Sequence, residues 1–194
     1  DNYYHVAAYK NGKWDGFQQF FNEKNGLFLT GLLPEVMSIL KKLNQTYKIV
    51  DERANNVKWI YKSIDENFLN QWLPDGFKKI TLHDYQPDLV NKAIFFNRGI
   101  IQAPTASGKT FCLISILKCL PPKTPVLFLT KNVGLVHQNY EEMIKWKIPN
   151  VGRWYGKHKE PNFITCANVN KHSLKGIDKL LKKFKVLIVD EVHE

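Results

Sequence analysis

An α/β chain with a parallel sheet is the fold class this sequence predicts, and three observations predict it. From residue 84 onward, apolar runs of strand length alternate with stretches of helix length. Proline, glycine and asparagine stand between them as breaks. Two of the runs end in polar motifs, Ala-Pro-Thr-Ala-Ser-Gly-Lys-Thr at 103–110 and Asp-Glu-Val-His at 190–193.

The elements follow in order. Residues 84–97 read as a helix, 99–102 as a short strand and 111–120 as a helix stopped by Pro121 and Pro122. Residues 126–130 read as a strand, and 133–146 as a helix with Pro149 beyond it. Residues 151–155 and 163–167 read as short strands, 173–184 as a helix and 185–189 as the last strand. The continuous apolar run Val186–Val189 is of the kind expected of a strand buried on both faces of a parallel sheet.

Before residue 75 the texture changes. Residues 14–21 and 26–30 read as strands around a turn at 22–26. Pro34 opens an amphipathic helix to about Asn44, and 46–50 return as a strand. Trp14, Phe17, Phe20, Phe21 and Phe28 read mostly as the core that such a β-β-α-β unit requires, with base stacking, and so a nucleic-acid contact, as the alternative. The turn Pro74-Asp75-Gly76 sets the boundary, giving an accessory domain at 1–75 and a second domain at 76–194.

Composition narrows the classes. An apolar fraction of 44% permits a packed core, and 24% charged residues argue against wholesale disorder. No apolar run is long enough to span a bilayer, and the N-terminus lacks a basic-then-apolar leader pattern, so neither membrane nor secretion is expected. Cys112, Cys119 and Cys166 have no metal-ligand spacing, and their odd number favours a reducing, cytoplasmic setting.

The two polar motifs carry chemistry. A strand, a glycine-bearing loop and a helix together bind phosphate, because backbone N–H groups and the helix N-terminus face the anion. Thr105, Ala106, Ser107, Gly108, Lys109 and Thr110 form that candidate set. Lys109 would reach the β- and γ-phosphates of ATP, and the Thr110 hydroxyl would coordinate Mg²⁺. Ala103 occupies the position usually held by the first glycine. Asp190, at the C-terminal end of a strand, would hold Mg²⁺ with Thr110, and Glu191 would polarise the attacking water. His193 either caps the turn or relays between sites.

Charge is concentrated. Residues 145–185 hold eleven Lys/Arg against two Asp/Glu, a net +9 in a chain of net +10. Such a block fits a polyanion partner. On the helix at 173–184, Lys175, Lys179, Lys182 and Lys183 form one face, which also fits a solvated exterior. Lys145, Lys147, Arg153, Lys157 and Lys159 stand nearer the expected strand ends and are the better nucleic-acid candidates.

With the Asp-Glu-Val-His run, the chain resembles superfamily 2 helicases of the DExH type, and the resemblance implies a partial RecA-like lobe after the small α+β domain. Leu82-His-Asp-Tyr-Gln86 resembles the element whose glutamine reads adenine, which assigns that role to Gln86; His83 stands where an arginine is common. Residues 126–138 resemble the family's motif Ia and 163–168 its motif Ib, which implies nucleic-acid contacts at Lys131, Asn132 and Asn168, beside Arg153 and Lys157. In this family the histidine corresponding to His193 relays between the two sites. Trp14-Asp-Gly, Phe28-Leu-Thr-Gly-Leu-Leu-Pro34 and Val151-Gly-Arg-Trp-Tyr-Gly156 add a likeness to phage UvsW-type branched-DNA helicases. That likeness implies a monomeric, ATP-driven enzyme acting on D-loops, R-loops and forks in recombination and repair, in the host cytoplasm.

Two other expectations stay open at this point. One is the motor lobe of a restriction enzyme or an XPB-like translocase; the other is a nucleotide-dependent DNA-binding scaffold that does not hydrolyse. The family's arginine fingers come from a second lobe, so residues 1–194 are expected to be an N-terminal fragment that binds nucleotide weakly, turns it over negligibly and leaves its final strand poorly covered.

Overall fold

The computed structural model describes the chain apart from residues 1–4, 6, 14, 18, 51, 53–56, 105, 171–180 and 191–194. Contacts divide it into two compact units, Asp1–Arg53 and Ala54–Glu194.

The first unit holds a short helix α1 (Ala7–Lys10), a hairpin of β1 (Phe21–Asn22) and β2 (Leu27–Phe28), and helix α2 (Leu33–Lys42). The hairpin turn falls where the sequence places it. Gly26 adopts φ of 69° and its N–H donates to the Asn22 carbonyl at 2.8 Å. The Asn22 and Asn25 side chains accept the N–H groups of Lys24 and Leu27, as turn asparagines do. The flanking strands pair over only two residues each, and the strand expected at 46–50 is irregular backbone. The described aromatic residues do not form a core either, and Trp14 lies outside the described residues. Phe17, Phe20 and Phe21 are exposed and Phe28 is half-buried, because one short hairpin and one helix enclose too little volume to bury them.

The second unit begins well before residue 75. Ile64, Phe68, Leu69 and Leu82 are buried in its core, and a single-turn helix at Phe68–Trp72 places two of them. Side-chain amides hold this irregular segment in place. Asn91 donates to the Ile64 carbonyl and accepts its N–H, at 3.0 and 2.7 Å. Asn70 does the same for Ile80 at 2.9 Å each. A side-chain amide offers the donor–acceptor pair that a neighbouring strand would, so 57–82 is held without a sheet. The proline-glycine turn at 74–76 is a loop within this unit.

Helix α3 (Tyr85–Phe96) starts at Asp84, whose carboxylate accepts the Tyr85 N–H, and ends at Asn97 in the left-handed region. Helix α4 (Lys109–Cys119) buries Cys112, Leu113, Ile114, Leu117 and Cys119, and so lies in the middle of the core. There the cysteines behave as small hydrophobes, and burial pushes the Cys119 thiol up to about 12. Helix α5 (Val133–Lys145) is capped by Asn132, which accepts the Gly134 N–H at 2.7 Å.

The sheet contains β3 (Val126–Thr130), β4 (Val151–Tyr155), β5 (His158–Glu160), β6 (Ile164–Asn168) and β7 (Val186–Val189), in the order β5-β4-β6-β3-β7. Strands β4, β6, β3 and β7 are parallel, while β5 folds back antiparallel on β4. β5 was not expected from the sequence. Gly152 makes it possible: a Cβ there would strike the Glu160 carbonyl and the Asn162 N–H.

One face of the sheet, with Val126, Phe128, Ile164 and Cys166, joins the core of α3, α4 and α5. The other face carries Leu127 and Ala167, with Leu129, Trp154 and Phe184 against them. Two expectations fail. Residues 99–102 form no strand, and Ile100 is 82% exposed. β7 is not buried on both faces, because Val186 and Ile188 join the core while Leu187 and Val189 are exposed. Among the described residues β7 pairs only with β3. The helix expected at 173–184 lies largely outside the described residues.

Candidate nucleotide and nucleic-acid site

The phosphate-loop candidate turns sharply before α4. Ala106 has φ of 63° and Gly108 φ of 77°, both left-handed. Gly108 directly precedes Lys109, the first helical residue, and its carbonyl accepts the Phe111 N–H at 2.9 Å. Lys109 and Thr110 thus occupy the first turn, half-buried, where helix N–H groups lack intrahelical acceptors and the dipole favours an anion. Two features fit the loop to a phosphate ligand. Gly108 is closely packed, since a Cβ there would fall on the Gln86 amide nitrogen and displace that side chain. The Ser107 hydroxyl is buried without a hydrogen-bond partner among the described residues. With nucleotide and Mg²⁺ bound, Lys109 would be the residue to neutralise phosphate charge and Thr110 the one to hold the ion. Thr105 lies outside the described residues.

Gln86 is buried to 1% and points into the loop. Its Nε2 donates to the Ser107 carbonyl at 2.9 Å, and its Oε1 accepts the His83 N–H at 2.9 Å. Both ends of the amide are engaged, so in this structure Gln86 braces the loop and does not present itself to a base. The absent strand at 99–102 also changes how the loop is carried. α4 is held by α3 and by the turn after α5: the Phe111 ring meets Trp146 at 5.9 Å, and Lys118 Nζ donates to the Lys147 carbonyl at 3.1 Å.

A second group collects at the C-terminal ends of the parallel strands. The register sets Thr130 beside Asn168 and Leu129 beside Val189, so Asp190 follows at the same edge. Its N–H donates to the Leu129 carbonyl at 2.9 Å. Lys131 and Asn132 are exposed there, and Lys157 is exposed in the β4–β5 turn at the end of β4. Glu191 and His193 lie outside the described residues.

Asn168 does not fit a nucleic-acid contact. It is fully buried, and its Nδ2 donates to the Lys131 carbonyl at 2.6 Å while its Oδ1 accepts the Asn170 N–H at 3.1 Å. It joins the loop after β6 to the loop after β3. Asn168→Ala should therefore destabilise the protein by about 0.5–1.5 kcal/mol for each of the two hydrogen bonds it removes, as read from the urea midpoint. An unchanged midpoint would show that the tie carries no weight.

The other basic candidates separate. Arg153 sits within β4, paired to Glu160 at 3.4 Å and lying over the Tyr140 ring at 5.0 Å, and so is part of the packing. Lys147 pairs with Asp75 at 3.0 Å and Lys145 with Glu142 at 3.4 Å. Lys145 ends α5 and Lys147 follows it, at the edge where the parallel strands begin, opposite Lys157 and Lys131. Tyr85, Asn70 and Asn91 were missed as positioning groups, since nothing in the local sequence marks a partner ten to twenty-seven residues away.

Known proteins resemble the chain over most of its length. It is 31% identical over 115 residues to the DNA 3'-5' translocase XPB2 of Sulfurisphaera tokodaii, a match covering 59% of this chain and 26% of that protein. It is 26% identical over 120 residues to the putative DNA 3'-5' helicase Rad25 of Haloarcula marismortui, covering 59% and 19%. The chain thus spans about a quarter or less of these curated relatives. The fold matches the crystal structure of the UvsW helicase from Bacteriophage T4 with a TM-score of 0.72 at 18% identity, over all of this chain and 72% of that one. A further structure of T4 UvsW matches with a TM-score of 0.63 at 16% identity, over all of this chain and 47% of that one. Residues 79–194 match the family described as type III restriction enzyme, res subunit, and on that match, which covers more than half of its length, the chain belongs to this family of superfamily 2 helicases and translocases.

Proposed function

We propose that the chain is the nucleotide-binding part of an ATP-dependent DNA helicase or translocase. The observation that carries this reading is Lys109 and Thr110 opening α4 directly behind the left-handed Gly108, in a chain whose family is a motor family. Lys109, Thr110 and Asp190 hold the phosphates and Mg²⁺, and Glu191 activates water, with His193 relaying to the nucleic acid. Lys131, Asn132 and Lys157 meet DNA phosphates at the strand-end edge. Branched DNA in phage recombination and repair is the substrate class we favour, supported by the fold likeness to UvsW along the entire chain, including the first unit. That unit is an accessory domain, and the protein acts as a monomer.

Contacts of this kind neutralise phosphates, so DNA binding should be insensitive to sequence and fall steeply with salt. In the full-length protein, DNA-stimulated ATP hydrolysis should drop at least about a hundredfold in Lys109→Ala and in Asp190→Asn, since each removes charge stabilisation at the transferring phosphate. Forked DNA should stimulate more than blunt duplex. Hydrolysis that survives both substitutions would sink the motor reading, and equal stimulation by fork and duplex would sink the branched-DNA preference alone.

A further inference from the structure

The Ser107 carbonyl receives two side-chain donors at once. Tyr85 Oη donates at 2.8 Å and Gln86 Nε2 at 2.9 Å, both from the first residues of α3. The two donors differ in kind. Gln86 is fully buried with its orientation set by the His83 N–H, so any movement of its amide toward a ligand removes a bond from the loop. Tyr85 is 40% exposed, and its ring lies flat against the His83 ring, with centroids 5.6 Å apart and planes 5° from parallel. Only its hydroxyl reaches the loop. The ring stands on His83, whose N–H is held by Gln86, and the hydroxyl is a second hold on the Ser107 carbonyl beside the Gln86 amide.

We infer that Tyr85 is a positioning residue for the phosphate loop: its hydroxyl holds the Ser107 carbonyl, and with it the turn into Gly108 and Lys109, when Gln86 leaves that carbonyl for a nucleotide base. This rests on the nucleotide-site reading above. The division of labour has a definite signature. Tyr85 acts on the loop and never on the base, so its loss weakens every ligand that uses the loop to the same extent. Gln86 acts on both, so its loss discriminates between ligands with and without a base.

The test is calorimetric titration of Mg·ADP and of inorganic tripolyphosphate into the protein, Tyr85→Phe and Gln86→Ala, with thermal unfolding of each as a check on folding. The phenylalanine keeps the ring and its stack on His83. Tyr85→Phe should weaken both ligands alike, by about three- to tenfold, the value of one hydrogen bond. Gln86→Ala should weaken ADP by a larger factor than tripolyphosphate. Two results would overturn the inference while leaving the site intact: Tyr85→Phe binding both ligands as the unsubstituted protein does, or losing affinity for ADP alone. An unsubstituted protein that binds neither ligand would overturn the nucleotide-site reading itself.

Discussion

Replacing Trp146 with alanine should cost about 3–5 kcal/mol of stability, the range for deleting a large aromatic side chain from a packed core. Trp146 is 1% exposed and closes α5 by donating its N–H to the Glu142 carbonyl. Its ring meets the Phe111 edge at 5.9 Å and lies 6.3 Å from Phe77. It therefore joins three parts of the second unit: the start of α4, the end of α5 and the segment before α3. A loss of this size is a large fraction of the roughly 5–15 kcal/mol that holds a domain together. The urea midpoint should fall by more than about 1 M, given slopes of about 1–3 kcal/mol/M. Trp146→Phe should recover part of the loss by refilling some of the volume. A midpoint unmoved by the alanine would mean that α4 does not lean on this ring.

Gly108→Ala should weaken nucleotide binding at least about tenfold, with a smaller loss of stability than Trp146→Ala. Two separate costs meet at this residue. At φ of 77° an alanine is strained by about 1–2 kcal/mol. Its Cβ also lands on the Gln86 amide nitrogen, which must leave the Ser107 carbonyl. Stability should fall by about 1–3 kcal/mol in all, and Mg·ADP affinity at least tenfold, because the turn that aims Lys109 no longer closes. The steric part is separable. Adding Gln86→Ala frees the space, so the double variant should be more stable than the sum of the single effects implies. Strict additivity would show that the two residues do not touch in solution.

Much of this fold is legible in the sequence, and what is not has physical reasons. The helices at 109–119 and 133–145 and the strands at 126–130 and 151–155 carry apolar residues at helix or strand spacing between clear stops, so their pattern decides them. β5 reads His-Lys-Glu, three polar residues on a sheet edge, and a strand exposed on its outer side needs no apolar period. Residues 99–102 show the converse. Gly-Ile-Ile-Gln has the composition of a buried strand, but a strand exists only where a partner lies beside it, and no local run contains that information. In the first unit, aromatic residues alternating around a turn suggest a core, while burial depends on what else packs there.

The candidate site divides in the same way. Lys109, Thr110 and Asp190 are proposed from their types and motifs, which are read without coordinates. Gln86 and Asn168 carry amides, and an amide serves a ligand or a carbonyl of its own chain equally well. Here Gln86 holds the Ser107 carbonyl and Asn168 the Lys131 carbonyl, partners that the sequence around them does not mark.

The parallel register of β7 on β3 has a consequence for which length changes this protein tolerates. Asp190 stands where it does because Val186–Val189 runs in step with Val126–Leu129 and because its own N–H is fixed to Leu129. One residue inserted or deleted within 186–189 would move the acid about 3.3 Å along the edge and turn its side chain to the opposite face. The same change among the turn residues 121–124, between α4 and β3, alters only the length of a surface connection. Mutational scanning by single-residue deletion should therefore show a narrow intolerant window ending at Asp190, with permissive positions in that turn.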